Sequence, residues 1–461
     1  MRTNFIFLTR NTKAVSANLF FTALVCSFLF SCTKTADLKS IENKPVISDA
    51  VTSNKPNIIL ILGDDIGVDV PTSYGGQSYE TPNIDMMAQL GMKFTQCHSS
   101  PLCSPSRVCI MTGKYNFRNY SEWGVMDPND HTFGNLLQKA GYATYVAGKW
   151  QLDGGDAGIH GFGFDNYALW NPIKDGVRVG SHYKDPTVYT HAQFLPKSLT
   201  KGKYGDDIFT DSCLNFIDQN KDKNFFLYFP ITLCHDPFCP TPDDPEFATW
   251  DSKGNPSDTS FFPSMIKYMD KKIGQIIQRL KDDSIYDNTM VIFVGDNGTP
   301  NDIWSWYNGE LVQGGKSLTK EAGTHVPMTI LWPKRIAPGQ VNDNLVDFTD
   351  FLGTFADAAR TKIPASFGTV DTHSFFNQLV GLNYTPRDWI FDHYQPNTNK
   401  GNDILVRWVQ DHTYKLYDSV GTFYNIAVDP DEKHPIKKRN MTDYEKQRKK
   451  EFQSVLDSLH S

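Results

Sequence analysis

The chain has no Cys-x-x-Cys pair, no internal repeat, no low-complexity tract and no excess of basic residues. Without paired cysteines there is no zinc-ribbon spacing. A formal net charge of −7 argues against nucleic acid as a partner. Any anionic ligand must therefore be held by local cations against the overall field. Of the eight cysteines, Cys26 and Cys32 lie in the leader, and the others are at 97, 103, 109, 213, 234 and 239. Cys234 and Cys239 are close enough to pair across a short loop, or with His235 to form a small metal site that no second cluster completes. The 31 Phe, 20 Tyr and 9 Trp are mostly core material, with aromatic surface left over of the kind on which sugars dock.

Residues 1–32 form a targeting segment that stands outside the fold. Arg2, Arg10 and Lys13 make a basic start, and 14–30 is apolar apart from a few small polar residues. Leu29-Phe30-Ser31-Cys32 resembles a bacterial lipoprotein signal, in which the cysteine is lipidated. The competing reading is an uncleaved helix, since ~17–25 residues span a bilayer. Both readings give an exported, membrane-tethered protein, in the periplasm or at the cell surface. Residues 33–55 are polar and poor in aromatics, as a linker would be.

At 461 residues the chain exceeds the ~250–300 at which a single core stops growing, so a large domain plus a smaller one is expected. Asn57-Ile-Ile-Leu-Ile-Leu62, Ala143 to Gly148, Phe225 to Pro230 and Asn288 to Val294 are continuous apolar runs. Such runs fit strands buried on both faces of a parallel sheet. Helical patterns fall between them at 132–140, 207–219 and 263–280, so 56–384 reads as an α/β sandwich with a mainly parallel sheet. From about Thr385 the runs are short, and a last helix spans 442–458. Residues 385–461 therefore predict a small antiparallel α+β subdomain. In such sheets ligands gather beyond the carboxyl ends of the strands. There stand Asp64 and Asp65, Asp296 and Asn297, Lys149, and His235.

The most informative segment is Cys103-Ser-Pro-Ser-Arg-Val-Cys-Ile-Met-Thr-Gly113. Pro105 favours a turn or a first helical position, which predicts a helix over 106–111 with Cys103 just before it. Free N–H groups and the helix dipole favour an anion there. Arg107, one turn on, brings a planar cation to the same spot. Asp64, Asp65, Asp296 and Asn297 are hard oxygen donors, suited to calcium or magnesium and not to zinc.

The segment resembles the signature of the formylglycine-dependent, type I sulfatases, Cys/Ser-x-Pro-Ser/Ala-Arg, four residues, Thr-Gly, and matches it at Cys103, Pro105, Ser106, Arg107, Thr112 and Gly113. The resemblance implies an alkaline-phosphatase-like fold with a C-terminal antiparallel subdomain. It implies that Cys103 is oxidised to formylglycine by a maturase and supplies the attacking oxygen as the aldehyde hydrate. It further implies one calcium (magnesium being possible) on Asp64, Asp65, Asp296 and Asn297, with the modified Cys103 as a fifth ligand. Lys149 in Ala-Gly-Lys-Trp and Lys316 in Gly-Gly-Lys-Ser match two sulfate-binding lysines, each preceded by glycine so that backbone can approach a ligand. His235 matches the histidine that protonates the leaving oxygen. The chain departs where the family commonly reads Gly-Lys-Trp-His-Leu-Gly: here Gln151 replaces the histidine and is left to hydrogen-bond an oxyanion or the sugar. His325 stands where arginine is common. The reading is a tethered sulfatase acting on sulfated carbohydrate. The alternatives are a phosphatase or phosphodiesterase of the same superfamily, which would want two zinc ions and histidine ligands, and a non-catalytic binder of sulfated glycans.

Overall fold

The computed structural model describes residues 55–170, 180–251, 254–396 and 404–459. The targeting segment and nearly all of the linker lie outside them. Seven strands build the sheet that carries the site: β1 (Asn57–Gly63), β2 (Met92–His98), β3 (Ala143–Lys149), β4 (Asn166–Trp170), β5 (Phe225–Pro230), β6 (Thr289–Gly295) and β7 (His325–Leu331). Their order is β2-β7-β6-β1-β5-β3-β4, with short strands extending both edges. β6, β1, β5, β3 and β4 run parallel, and β7 lies antiparallel to both its neighbours. The four apolar runs are the interior strands, where a residue facing either way meets a core.

Alternation along β1 shows this. Ile58, Leu60 and Leu62 enter one core, with Val108 and Met111 of α2 (Cys103–Thr112), Phe133 and Leu136 of α3 (Phe133–Lys139), and Phe351 and Phe355 of α6 (Asp350–Ala358). Ile59 and Ile61 enter the other, with Ile84 and Met87 of α1 (Pro82–Leu90), Phe209 and Ile217 of α4 (Gly205–Asn220), and Ile266, Ile273 and Ile277 of α5 (Phe262–Asp282). The expected helices are in place, each within two or three residues at its ends. Thr132 caps α3 through its hydroxyl, so the helix begins one residue later than expected.

The C-terminal segment folds into an antiparallel sheet of β8 (Ile390–Tyr394), β9 (Val406–Gln410), β10 (Tyr414–Tyr417) and β11 (Phe423–Asn425). Phe452 and Leu456 of α7 (Asp443–Ser458) cover it, sharing a core with Phe391, Val409, Leu416 and Phe423. The fold class is as expected; β11 is a strand beyond the runs the sequence suggested. The sheet braces the start of α2. The Ser100 hydroxyl donates to Asp392 Oδ2 at 2.8 Å, and the Ser106 hydroxyl donates to the Ser100 carbonyl at 2.9 Å.

Burial pushes the Asp392 carboxyl up to about 8, against the Ser100 hydrogen bond that favours the anion. A carboxyl whose pKa is raised on folding stabilises the fold at low pH and loses that contribution as pH rises through the folded value. The melting temperature should therefore fall as pH rises from about 4, the ordinary carboxylate value, to about 8, and level off above it. Asp392→Asn, which keeps an acceptor for Ser100, should flatten that slope; an unchanged slope in calorimetry would refute the assignment.

Candidate active site

Strand register brings the suspected residues together. Gly63 of β1 pairs with Gly295 of β6, so the next residues along each chain segment, Asp64-Asp65 and Asp296-Asn297, emerge side by side. Leu62 pairs with Pro230 of β5, and β3 delivers Lys149 from the far side of β5. Main-chain bonds continue past the strand ends: Asp296 N–H donates to Gly63 O at 2.9 Å and Cys234 N–H to Asp64 O at 2.7 Å.

Asp64, Asp65, Asp296, Asn297, Arg107 and Lys149 are all buried. Lys149 Nζ bridges both Asp64 oxygens, at 2.8 and 2.6 Å. Arg107 donates through Nε and a terminal nitrogen to Asp296 Oδ2, at 3.1 and 2.8 Å, and reaches Asp64 at 3.6 Å. Lys316 Nζ donates to Asp65 Oδ2 at 2.6 Å. Three carboxylates thus face three cations. Burial works to raise the pKa of Asp64, but Lys149, His235, Arg107 and Lys316 outweigh it and hold the group well below the usual carboxylate range. In Asp296 burial wins, joined by the charge of Asp64, and the carboxyl is pushed up to about 7 despite Arg107 and Lys149.

Cys103 is the first residue of α2, not the residue before it, and Leu102 is the N-cap. The helix starts earlier than the proline suggested because Pro105 falls in the first turn, where the missing N–H has no helical partner to lose. Cys103 is buried, and its Sγ lies 3.6 Å from Gln151 Oε1. Burial pushes the thiol up, against the pull of Lys149 and Lys316, so a thiolate does not form readily here. Gln151 adopts a left-handed φ of 54°, an unusual conformation for a residue with a long side chain. Its Nε2 is buried without a partner, so the amide holds an unspent donor beside Cys103.

His235 follows β5 and donates through Nδ1 to the Asp236 carbonyl at 2.6 Å, which leaves Nε2 as the working nitrogen. Burial, reinforced by Lys149, lowers its pKa. All of the candidate residues therefore line one site, but several minor expectations change. The space beside Gly148 is filled by the Pro230 carbonyl, 2.2 Å from where a Cβ would stand, and that beside Gly315 by Ala322 at 2.4 Å. These glycines let protein backbone approach, rather than a ligand. Cys234 and Cys239 are free, buried thiols, so no disulfide joins them. Among the described residues, the cluster able to hold a metal is Asp64, Asp65 and Asp296, not Cys234 with His235. His325 stacks on His98 and contacts the Thr95 carbonyl, away from the chemistry. One neighbour that the sequence did not single out, His182, packs edge-on to His235; it lies in a loop with no periodicity or motif to mark it.

The donor set fits a hard divalent cation. One oxygen from each of the three carboxylates lies within 4.8 Å of the others. Asn297 Oδ1 is a buried acceptor with no hydrogen-bond partner, while its Nδ2 is turned onto Asp65 Oδ1 at 2.8 Å. A bare carbonyl oxygen beside three carboxylates suits calcium or magnesium.

The chain has relatives among known proteins. The family model described as sulfatase matches residues 56–361, and that of the N-sulphoglucosamine sulphohydrolase C-terminal region matches residues 309–458. The chain is 31% identical to the human N-acetylgalactosamine-6-sulfatase over 446 residues, covering 83% of this chain and 81% of that protein. It is 27% identical to an N-acetylgalactosamine-6-O-sulfatase of Bacteroides thetaiotaomicron over 476 residues, covering 84% and 91%. The crystal structure of Ps i-CgsB in complex with k-i-k-neocarrahexaose superposes with a TM-score of 0.71 at 24% identity, covering 88% and 92%, and shows the shared fold. With the signature at Cys103, the oxygen-rich cluster and a family model spanning most of its length, the chain belongs to the sulfatase family and is a sulfuric ester hydrolase.

Proposed function

We propose that the protein hydrolyses sulfate esters of a carbohydrate, with Cys103 as the precursor of a formylglycine nucleophile and a single calcium on Asp64, Asp65, Asp296 and Asn297. The observation that carries this is the position of Cys103. It opens a helix, faces Gln151 and is buried so that its thiol stays neutral. As a plain cysteine it is a poor nucleophile; oxidised by a maturase, it would carry an aldehyde whose hydrate supplies the attacking oxygen. The calcium would withdraw charge from the sulfate oxygens.

The chain's own residues account for the rest. Lys149 and Lys316 are fixed by Asp64 and Asp65, which places two cations at the cavity to hold the sulfate. Arg107 neutralises Asp296 from beneath. His235 is oriented by its Nδ1–H on the Asp236 carbonyl; with its pKa lowered in the free protein, the ring would take up a proton on Nε2 as the anionic sulfate binds and hand it to the leaving sugar oxygen. Gln151 donates its free amide N–H to an oxygen at position 103 or on the sulfate. Relatives named for N-acetylgalactosamine 6-sulfate put hexosamine 6-sulfates first among substrates to try. Incubation with defined sulfated sugars and with 4-nitrophenyl phosphate should release sulfate and no phosphate; the opposite result would favour the phosphatase alternative. The leader supports export and tethering through Cys32, so Cys32→Ala should abolish incorporation of labelled palmitate.

Two further outcomes test the parts. Elemental analysis of dialysed protein should find about one calcium per chain, and Asp296→Ala should lose it; two zinc ions would overturn the metal assignment. General acid catalysis is worth roughly 10²–10⁴-fold, so His235→Ala should cut kcat by that order. Gln151→Ala removes one neutral hydrogen bond and should cost only about tenfold. Equal losses in the two variants would mean that the amide has a chemical role.

A further inference from the structure

The leaving-group side of the site holds a histidine that the chemistry above leaves unused. His182 is only 7% exposed. Its ring stands between those of Trp170 and Tyr183, each with its centroid 4.1 Å away, and edge-on to His235 at 6.1 Å. Trp170 ends β4 and pairs with Lys149, so the ring is anchored to the strand edge that delivers a sulfate-binding lysine. The charges of His235, Lys149 and Asp64 all bear on it.

The hydrogen bonding of this ring is half complete. One nitrogen lies by the Asp236 backbone, whose influence favours the protonated ring, as that of a carbonyl facing an N–H does. Asp236 is also the residue whose carbonyl accepts from His235. The other nitrogen, Nε2, is buried and has no partner. Buried polar atoms in folded proteins are nearly always paired, so an orphan beside His235, the proposed acid, points to a ligand. Burial, with the nearby His235 and Lys149, holds the pKa well below the ordinary histidine value, so the ring is neutral. A neutral imidazole that donates through one nitrogen carries a lone pair on the other. Nε2 is therefore an acceptor. It has nothing to offer a sulfate oxygen, which is itself an acceptor, and suits a hydroxyl.

We propose that His182 is a substrate-binding residue whose Nε2 accepts a hydrogen bond from a sugar hydroxyl close to the sulfate ester. This rests on the sulfatase reading and deepens it, because it assigns the recognition of the leaving group to a residue distinct from those that hold the sulfate. A site built to pair a hydroxyl discriminates sharply against ligands that lack one.

The test compares wild type with His182→Asn and His182→Gln. Asparagine can keep the bond to Asp236 but has nothing at the Nε2 position, whereas glutamine reaches far enough to restore an acceptor there. Two readouts are taken: kcat/KM on the sulfated sugar that wild type turns over fastest in a defined panel, and the inhibition constant of inorganic sulfate, which has no hydroxyl to offer. His182→Asn should lower kcat/KM by about 10–100-fold and leave inhibition by sulfate within about twofold of wild type. His182→Gln should recover most of the loss. A parallel weakening of sulfate inhibition would show that the ring only holds the site together, and unchanged kcat/KM would show that Nε2 meets no substrate; either result overturns the proposal. If wild type releases sulfate from no sugar in the panel, the sulfatase reading itself fails and the role of His182 falls with it.

Discussion

Cys103→Ala should abolish sulfate release while the protein stays folded. Removing the nucleophile of a hydrolase whose other groups remain costs on the order of 10⁶-fold in kcat. Among the described residues no other group is placed to replace it: Gln151 is not a nucleophile, and Cys109, the other cysteine of the same helix, is buried in the hydrophobic core below. The structural cost should be small. The Cys103 side chain makes one long contact, 3.6 Å to Gln151, and it sits in the first turn of α2, where helix formation does not depend on it. A loss of about 1 kcal/mol is expected for a truncation of this size. Intact mass and peptide sequencing of active wild-type protein should find formylglycine at position 103. Full activity in the alanine variant, or active protein with an unmodified thiol, would remove the basis of the proposed mechanism.

Much of the site is legible in the sequence because it hangs on strand ends. A run such as Asn57 to Leu62 has no polar residue to place at a surface beyond its first position, so it must lie in a sheet interior, and the polar residues next in the chain must emerge at the sheet's edge. That logic alone locates Asp64 and Asp65, Asp296 and Asn297, Lys149 and His235. Adjacency is a different matter. That Gly63 sits opposite Gly295, and that β5 separates β1 from β3, comes from register and strand order, which long-range packing decides. The motif around Cys103 fixes the chemistry more tightly than the local geometry, since its helix begins where propensity alone would not start one.

The residues that the sequence does not mark share a cause. His182 lies in an irregular loop, and its meaning comes from one unpaired nitrogen next to another histidine. Asp392 is far along the chain in a short strand, yet it reaches Ser100 and so steadies the approach to the nucleophile. The glycines before Lys149 and Lys316 suggest a close ligand, whereas neighbouring main chain fills their space. Each depends on contacts between segments distant in sequence, which neither periodicity nor spacing encodes.

Arg107 should prove the most damaging single position for stability and activity together. Its side chain is 2% exposed and gives two hydrogen bonds to one oxygen of Asp296, with a third to the Lys149 carbonyl at 3.4 Å. Truncation to Ala would leave Asp296 buried beside Asp64 and Asp65 with its closest cation gone. Breaking a buried ion pair by removing one partner costs about 3–5 kcal/mol; Asp296, already raised to about 7 with Arg107 present, escapes part of this by taking up a proton, so it is above pH 7 that the variant should unfold at clearly lower denaturant. Arg107→Lys should recover little, because a single ammonium cannot reproduce the planar fork on Asp296 while also reaching the Lys149 carbonyl. Part of the penalty is the charge left on the carboxylates, and a divalent cation bound there offsets it. Added calcium should therefore raise the stability of Arg107→Ala proportionally more than that of wild type, without restoring sulfate release. Denaturant titrations with and without calcium test this directly. Wild-type stability in Arg107→Ala would mean that Asp296 is protonated or otherwise satisfied without the arginine, and the electrostatic account of the site would have to be redrawn around Lys149 and Asp64.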